Sequence, residues 1–329
     1  GPACYGRGGT RATITDAFAA LGLVGLSEIG YSAVTIDSEA SRRVVGELAE
    51  KLGRSIEQTA EAIIRIAVSG MYSDVSALVS RSGIDPREFS CLAFGGAGPM
   101  MACFLARELG MQEVVVPTTP GVLSALGGLI ADLKSDFIKT LYADLDASTA
   151  IVIKSEFDLL RNGAVDWLRR DQGYDGDYAL TYSAELRYRG QSFEIDTGLD
   201  PGTIASCDVA AMAASFHREH ARVYGHADVQ AAIQVISLRL VISGKTAKPT
   251  FPRHQLKPGT AQLTRPASAW LDGAQRQINF YRRTDLVPGQ TFAGPAVVTQ
   301  DDCTTVVPPG YVTRVDEYAN LRITREVAL

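Results

Sequence analysis

The chain has 329 residues, 46% hydrophobic and 21% charged, and its 32 Lys and Arg against 37 Asp and Glu leave a net charge of −5. That length allows two or three domains, and the composition is that of an ordinary globular protein. An acidic balance with no basic stretch argues against a nucleic-acid or anionic-membrane surface. The longest apolar run, Val122 to Ala131, is broken by Ser124 and Gly127-Gly128 and is too short to span a bilayer.

The chain opens without Met or a signal peptide. Gly1 to Gly9 reads as the interior of a protein, so an upstream portion, missing or supplied as a separate chain, is expected. Thr15-Asp16-Ala17 opens a short helix, with Thr15 or Asp16 as its N-cap. From Ser38 to Lys51, Val44, Val45 and Leu48 recur at helical spacing. Ser55 to Gly83 carries a long three-four stripe (Ala60, Ile63, Ile64, Ala67, Met71, Val75), with Ser55 and Gln58 as a capping box and Gly83 to Pro86 as its end.

The most informative segment follows. A short strand, Cys91 to Phe94, runs into the turn Gly95-Gly96-Ala97-Gly98-Pro99 and then into an amphipathic helix that stops at Gly110. Glycines let a main chain bend sharply and lie against a flat or anionic ligand, and the helix N-terminus points N–H groups and partial positive charge at the same spot. Pro99 suits the first helical turn, where a missing N–H costs nothing. A tight turn that only packs the helix onto its sheet has the same pattern.

Next come a strand, Glu113 to Val116, a Pro117–Gly121 turn and a helix from Val122 to Asp132, which with the preceding unit predicts an α/β layer with a largely parallel sheet. Beyond Asp136 the texture changes to a helix over Lys154 to Arg170, strands over Tyr178 to Ile195 with a turn at Arg189-Gly190-Gln191, a helix over Asp208 to Tyr224 and a strand over Ala232 to Ser243. Lys248 to Arg253 reads as a linker, and Ala261 to Arg325 as short strands and turns.

Other chemistry-bearing residues have plain readings. Cys4, Cys91, Cys103, Cys207 and Cys303 form no Cys-x-x-Cys pair, so neither a disulfide framework nor a zinc site is expected, and a cytoplasmic setting is. His217, His220 and His226 permit a metal pair on one helix face, but without a spaced carboxylate ligand packing is the expected role. Glu185, Arg187 and Arg189 share one face of a strand and read as a solvated ion-paired face, with a subunit contact as the alternative. There is no Gly-x-Ser-x-Gly or His-Glu-x-x-His.

In order, Gly1 to Gly9 with Thr13 to Ala17, Asp85 to Phe89, Ala93 to Pro99, Val115 to Pro117 through Pro120 to Leu126, Arg187 to Gln191, Phe216 to His220 with Tyr224-Gly225, Ala293 to Ala296 and Thr304 to Gly310 resemble the C-terminal part of the hydantoinase A / 5-oxoprolinase large subunit. The resemblance runs from Gly1 to about Ile323. It implies a partial actin-like/sugar-kinase (ribonuclease H-like) ATPase domain at 1–136, an α+β region at 137–247 and a C-terminal β-rich domain at 248–329. It makes Gly95, Gly96, Ala97 and Gly98 the adenosine loop. The family's Asp-x-Gly-Gly-Thr phosphate loops are not found; Arg7-Gly8-Gly9-Thr10 lacks the Asp and the leading strand. Asp16, just downstream of where the second phosphate loop would end, either binds Mg²⁺ or water or caps its helix. Many relatives carry Leu-His-Ala where this chain has Met100-Met101-Ala102, a greasier surface that puts an identical activity in doubt.

The function so implied is part of an ATP-dependent hydrolase that opens a hydantoin, oxoproline or similar lactam through a phosphorylated carbonyl, using ATP and Mg²⁺ shared with a partner segment. The implied partners are the N-terminal half of the ATPase subunit and a hydantoinase B-like subunit. The alternatives are a ketone carboxylase subunit and a non-catalytic scaffold subunit of such a complex.

Overall fold

The computed structural model describes residues 1–24, 28–29 and 34–326. In chain order the elements are α1 (Ile14–Ala20), β1 (Glu28–Ile29), β2 (Val34–Thr35), α2 (Ser38–Leu52), α3 (Ile56–Arg81), β3 (Ser90–Leu92), α4 (Gly98–Leu109), β4 (Glu113–Val116) and α5 (Leu123–Ile130). There follow β5 (Leu133–Asp144), α6 (Ala147–Asp166), β6 (Tyr178–Tyr188), β7 (Ile195–Gly198), α7 (Pro201–Ala205), α8 (Val209–Tyr224) and β8 (Ile233–Gly244). The last stretch holds β9 (Gly259–Thr260), β10 (Arg265–Leu271), β11 (Ala274–Arg282), β12 (Gln290–Ala293), β13 (Ala296–Thr299), β14 (Thr304–Val307), β15 (Tyr311–Val315) and β16 (Leu321–Arg325).

The chain divides into two compact units, Gly1–Leu129 with Thr250–Leu329, and Ile130–Pro249. This differs from the three domains expected. The expected boundaries fall close to the observed ones, but the first and last stretches form one unit because their strands share hydrogen bonds. β16 pairs antiparallel with β4, Leu321 opposite Val116, in a six-stranded sheet of order β3-β4-β16-β15-β12-β9. β3 and β4 are parallel as predicted, but β16 occupies the other side of β4 and the sheet is mixed rather than largely parallel. A second, four-stranded sheet has the order β10-β11-β13-β14.

In this unit the four-stranded sheet is packed on both faces. Leu271, Ile278, Phe280, Val297 and Val306 meet Phe18 of α1, Ile64 and Val68 of α3 and Phe104 of α4. From the opposite face Tyr281, Ala296, Val298 and Val307 join Phe292, Tyr311, Leu321 and Ile323 of the six-stranded sheet, along with Val114, Val116 and the back of α4. That double burial explains why β13 and β14 are buried residue after residue rather than alternately.

The helix ends follow from local chemistry. The Ser55–Gln58 capping box starts α3, and a left-handed Gly110 ends α4. At α1 the N-cap is Thr13 rather than Thr15 or Asp16, with Asp16 as the reciprocal member of a capping box. The 26-residue α3 is long and apolar enough in composition to cross a membrane, unlike the broken run at Val122. Its Thr59, Ala60, Ile64 and Val68 stripe nevertheless faces the core.

The other unit is an antiparallel sheet of order β5-β8-β6-β7. One face packs against Ile153 and Phe157 of α6 and Met212 and Phe216 of α8 through Leu186, Val235, Leu238 and Leu240. Of the alternate residues Glu185 and Arg187 on β6 and Arg189 just past it, only Arg189 is ion-paired among the described residues, with Asp144. Glu185 accepts from Ser237 and Arg187 bonds Gln234 and Tyr142, so the ion-paired reading holds for one of the three.

Candidate functional site

Between β3 and α4 the backbone does what the glycine spacing requires. Ala93 N–H donates to Val115 O at 2.8 Å, extending the β3–β4 ladder by one bond, and Gly95 then turns in the left-handed region at φ +83°. Gly95 N–H donates to Pro120 O at 2.7 Å. Gly96 stands in open space, where an added Cβ would meet nothing nearer than Asp302 O at 3.9 Å. Ala97 is the N-cap of α4 and makes no side-chain capping bond, so its own side chain leaves the first donors of that helix free for another acceptor.

A cavity of about 350 Å³ opens on this turn. Gly96, Ala97 and Met100 form one wall, Tyr5 and Thr15 another, and Asp301 to Thr304 a third. Of the turn residues expected to touch a ligand, Gly96 and Ala97 line the cavity, whereas Gly95 supplies the bend and Gly98 begins α4. Tyr5, Thr15 and the Asp301–Thr304 segment were not foreseen as lining this site; they lie far away in sequence, and the blocks around Tyr5, Thr15 and Thr304 carried the resemblance without pointing to the cavity.

The adjacent Pro117–Gly121 loop is clamped almost residue by residue. Arg283 Nη2 donates to Pro117 O at 3.2 Å and Ala319 O at 2.8 Å, and Gln300 Nε2 to Thr118 O at 2.6 Å. Asp302 Oδ2 accepts from Gly121 N–H at 2.8 Å. Burial pulls the Arg283 guanidinium down to about 10, against the opposing pull of Cys303, Asp316 and Asp302. Burial likewise pushes the Cys303 thiol up to about 12, reinforced by Asp302. The cysteine is therefore a buried neutral thiol.

Asp16 is placed differently from the metal-binding alternative. It is 0% exposed, does not line the cavity, and accepts from Ala3 N at 3.1 Å, Cys4 N at 2.9 Å, Thr13 N at 3.1 Å, Thr13 Oγ1 at 2.7 Å and Ser41 Oγ at 2.8 Å. Burial works to raise its pKa, but these hydrogen bonds outweigh it and hold the carboxyl below its ordinary 3.8. A carboxylate with five protein donors has no lone pair left for a cation. What it does is tie the segment carrying Tyr5 to the helix start carrying Thr15.

The Arg7–Thr10 stretch is also explained by packing, since a Cβ on Gly9 would sit 2.4 Å from Gly1 O. Met101 is buried in the core between α1, α3 and α4. A larger cavity of about 700 Å³ lies beside α5, walled by Phe251, His254 and Tyr318 together with Pro117 to Thr119 and the first turn of α5 at Leu123, and no glycine lines it.

The histidines form a hydrogen-bonded cluster. Tyr188 hydroxyl accepts from Asp228 N–H at 2.9 Å and shares a hydrogen bond of 2.7 Å with His217 Nδ1. His220 is fully buried, with Nδ1 2.7 Å from His226 O and Nε2 3.0 Å from Gln191 Nε2. Among the described residues no group of three or more His, Cys, Asp or Glu is placed to hold a metal ion. Burial holds His217 below its ordinary 6.5, with Asp228 opposing and His220 reinforcing.

In the unfolded chain that ring takes its proton near 6.5, in the folded chain only lower, so between the two values the unfolded state binds more protons. Stability is therefore full above about pH 7 and falls as the pH drops through the window below the unfolded value. Thermal unfolding followed from about pH 7.5 to about pH 5 should show this decline, and His217→Gln should flatten it. An unchanged profile in the variant would remove His217 as the cause.

Residues 1–137 match the hydantoinase/oxoprolinase family and residues 142–325 the hydantoinase/oxoprolinase C-terminal domain. The chain is 29% identical to the caprolactamase subunit alpha of Pseudomonas jessenii, over 98% of this chain and 48% of that one. It is 26% identical to the acetone carboxylase beta subunit of Xanthobacter autotrophicus, over 92% and 44%. Among solved structures, the ATP-dependent caprolactamase from Pseudomonas jessenii superposes with a TM-score of 0.76 at 26% identity, covering 99% of this chain and 48% of that one. A nucleotide-free acetone carboxylase superposes with a TM-score of 0.79 at 24% identity, again over 99% and 48%, a likeness of fold. The chain thus spans about half the length of these relatives.

Proposed function

The chain belongs to the hydantoinase/oxoprolinase family, and on that premise we propose that it is the adenosine-binding portion of a cytoplasmic ATP-dependent enzyme that opens a cyclic amide. The observation that carries this reading is the cavity at the Gly95–Gly98 turn, set against an uncapped helix start. Its volume falls within the roughly 300–1,000 Å³ of small-molecule sites.

The residues present fit a nucleoside. Gly96 offers an open cradle, Ala97 and Met100 an apolar floor, and Tyr5 and Thr15 polar edges. Gly96 and Ala97 would hold the adenine and ribose end. The N–H groups at the start of α4 would favour an anionic ligand. When bound, ATP supplies the phosphoryl group that turns a poor amide carbonyl into an activated electrophile. The two glycine-rich phosphate loops of an actin-like ATPase, Mg²⁺ and the lactam pocket would belong to a partner segment, the N-terminal half of the ATPase subunit, working with a hydantoinase B-like subunit. β3 supports such a contact, because it forms the edge of its sheet and leaves Leu92 and Phe94 exposed at 53% and 47%.

The purified chain is expected to show no ATP hydrolysis, since a γ-phosphate requires clamping from both sides. Robust Mg²⁺-dependent turnover by the chain free of any partner would overturn the division of labour. A ketone carboxylase subunit is the second reading, favoured by the likeness to the acetone carboxylase beta subunit. Bicarbonate dependence of ATP use in the assembled enzyme distinguishes the two. A non-catalytic scaffold would bind no nucleotide in either state.

A further inference from the structure

We infer that Asp302 is a positioning residue that sets the shape of the glycine turn through the chain Asp302–Gly121–Pro120–Gly95. This rests on the nucleotide reading of the cavity and adds a residue from the far end of the sequence to it.

A glycine-rich turn has the freedom to bend and, for the same reason, no side chain to hold the bend. Gly95 sits in the left-handed region at φ +83°, and its N–H is held by Pro120 O at 2.7 Å. The same peptide unit is held at its other end, where Gly121 N–H donates to Asp302 Oδ2 at 2.8 Å. The approach is close: a Cβ on Gly121 would lie 2.7 Å from Asp302 Cβ and 2.8 Å from Asp302 O. Asp302 is itself anchored, because Cys303, Thr304 and Thr305 after it are buried in the sheet. Its second oxygen, Oδ1, is buried without a partner among the described residues, so among these the bond to Gly121 is what ties the side chain to the fold.

Without the carboxylate, the Pro120–Gly121 peptide loses its acceptor, is held in the loop only by the bond of Leu123 N–H to Pro120 O, and can tilt about it. Pro120 O then leaves Gly95 N–H, and the turn relaxes into the many conformations open to glycine. The cavity wall at Gly96 and Ala97 moves with it. The effect reaches the ligand through the turn.

The test is binding of a fluorescent ATP analogue to the assembled enzyme, with ATPase KM and kcat measured beside it. Asp302→Ala should weaken binding and raise KM by about tenfold, the loss of one hydrogen bond to a charged group, with kcat retained. Asp302→Asn, whose amide oxygen still accepts from Gly121 N–H, should restore most of the affinity. Gly121→Ala leaves the Asp302 side chain intact but pushes it away, and should reproduce the Asp302→Ala defect. It also provides the answer should Asp302→Ala fail to fold. Folded Asp302→Ala binding within twofold of wild type overturns the inference, as does Asp302→Asn binding as weakly as Asp302→Ala. If wild type binds and Gly96→Val does not, those outcomes count against Asp302 alone. If wild type and Gly96→Val behave alike, the nucleotide reading itself falls.

Discussion

Gly96→Val is expected to leave the chain folded while reducing nucleotide binding by the assembled enzyme at least a hundredfold. Gly96 does not need a glycine's backbone freedom, because its φ lies outside the left-handed region, and a Cβ there meets no atom within 3.9 Å. Nothing in the fold therefore opposes a side chain at this position. The volume a valine would occupy is the cavity itself, so its branched methyl groups would take the place of the ligand. Gly95→Val is the contrasting variant: its φ of +83° strains any branched residue, so it should lose stability as well as binding. Wild-type affinity in a folded Gly96→Val protein would show that the turn only packs α4 against its sheet.

Asp16→Ala should destabilise the chain by about 3–5 kcal/mol, because five buried or half-buried donors lose their common acceptor at once. Asp16→Asn should cost less, since one oxygen still accepts, yet the amide adds a donor among donors. The sign with pH follows from the depressed carboxyl: its contribution is present above the ordinary 3.8 and is lost as pH falls below that value. Urea unfolding at neutral pH reads the size of the effect. The competing role as an Mg²⁺ ligand makes the opposite forecast, an Asp16→Asn protein of wild-type stability whose activity requires more Mg²⁺.

The helix starts were legible because each is written locally. The Ser55–Gln58 capping box is seen as the sequence shows it, and Gly110 ends α4 because it alone there adopts a left-handed backbone without strain. Thr13 was missed as the cap of α1 because Thr15 and Asp16 are equally good caps by type, and only the bonds to Ala3, Cys4 and Ser41 show how Asp16 is used. The glycine turn was legible as a turn, and its likeness to an adenosine loop came from the order of motifs around it. The partners of that turn were not. Asp302 lies about two hundred residues away in an unremarkable Asp-Asp-Cys just before β14, which packs against α4, and neither that contact nor the β16–β4 pairing is encoded by local periodicity. The same pairing makes the last stretch part of the first unit rather than a domain of its own.

The account's central claim is that the adenosine end of ATP sits against Gly96 and Ala97. Photolabelling of the assembled enzyme with 8-azido-ATP, followed by peptide mapping, tests it most directly. The label should fall on the cavity walls, at Tyr5, Met100 or the Asp301–Thr304 segment, and excess ATP should protect these sites. ATP-protected label confined to the cavity of Phe251 and Tyr318, or to no residue of this chain, would contradict it.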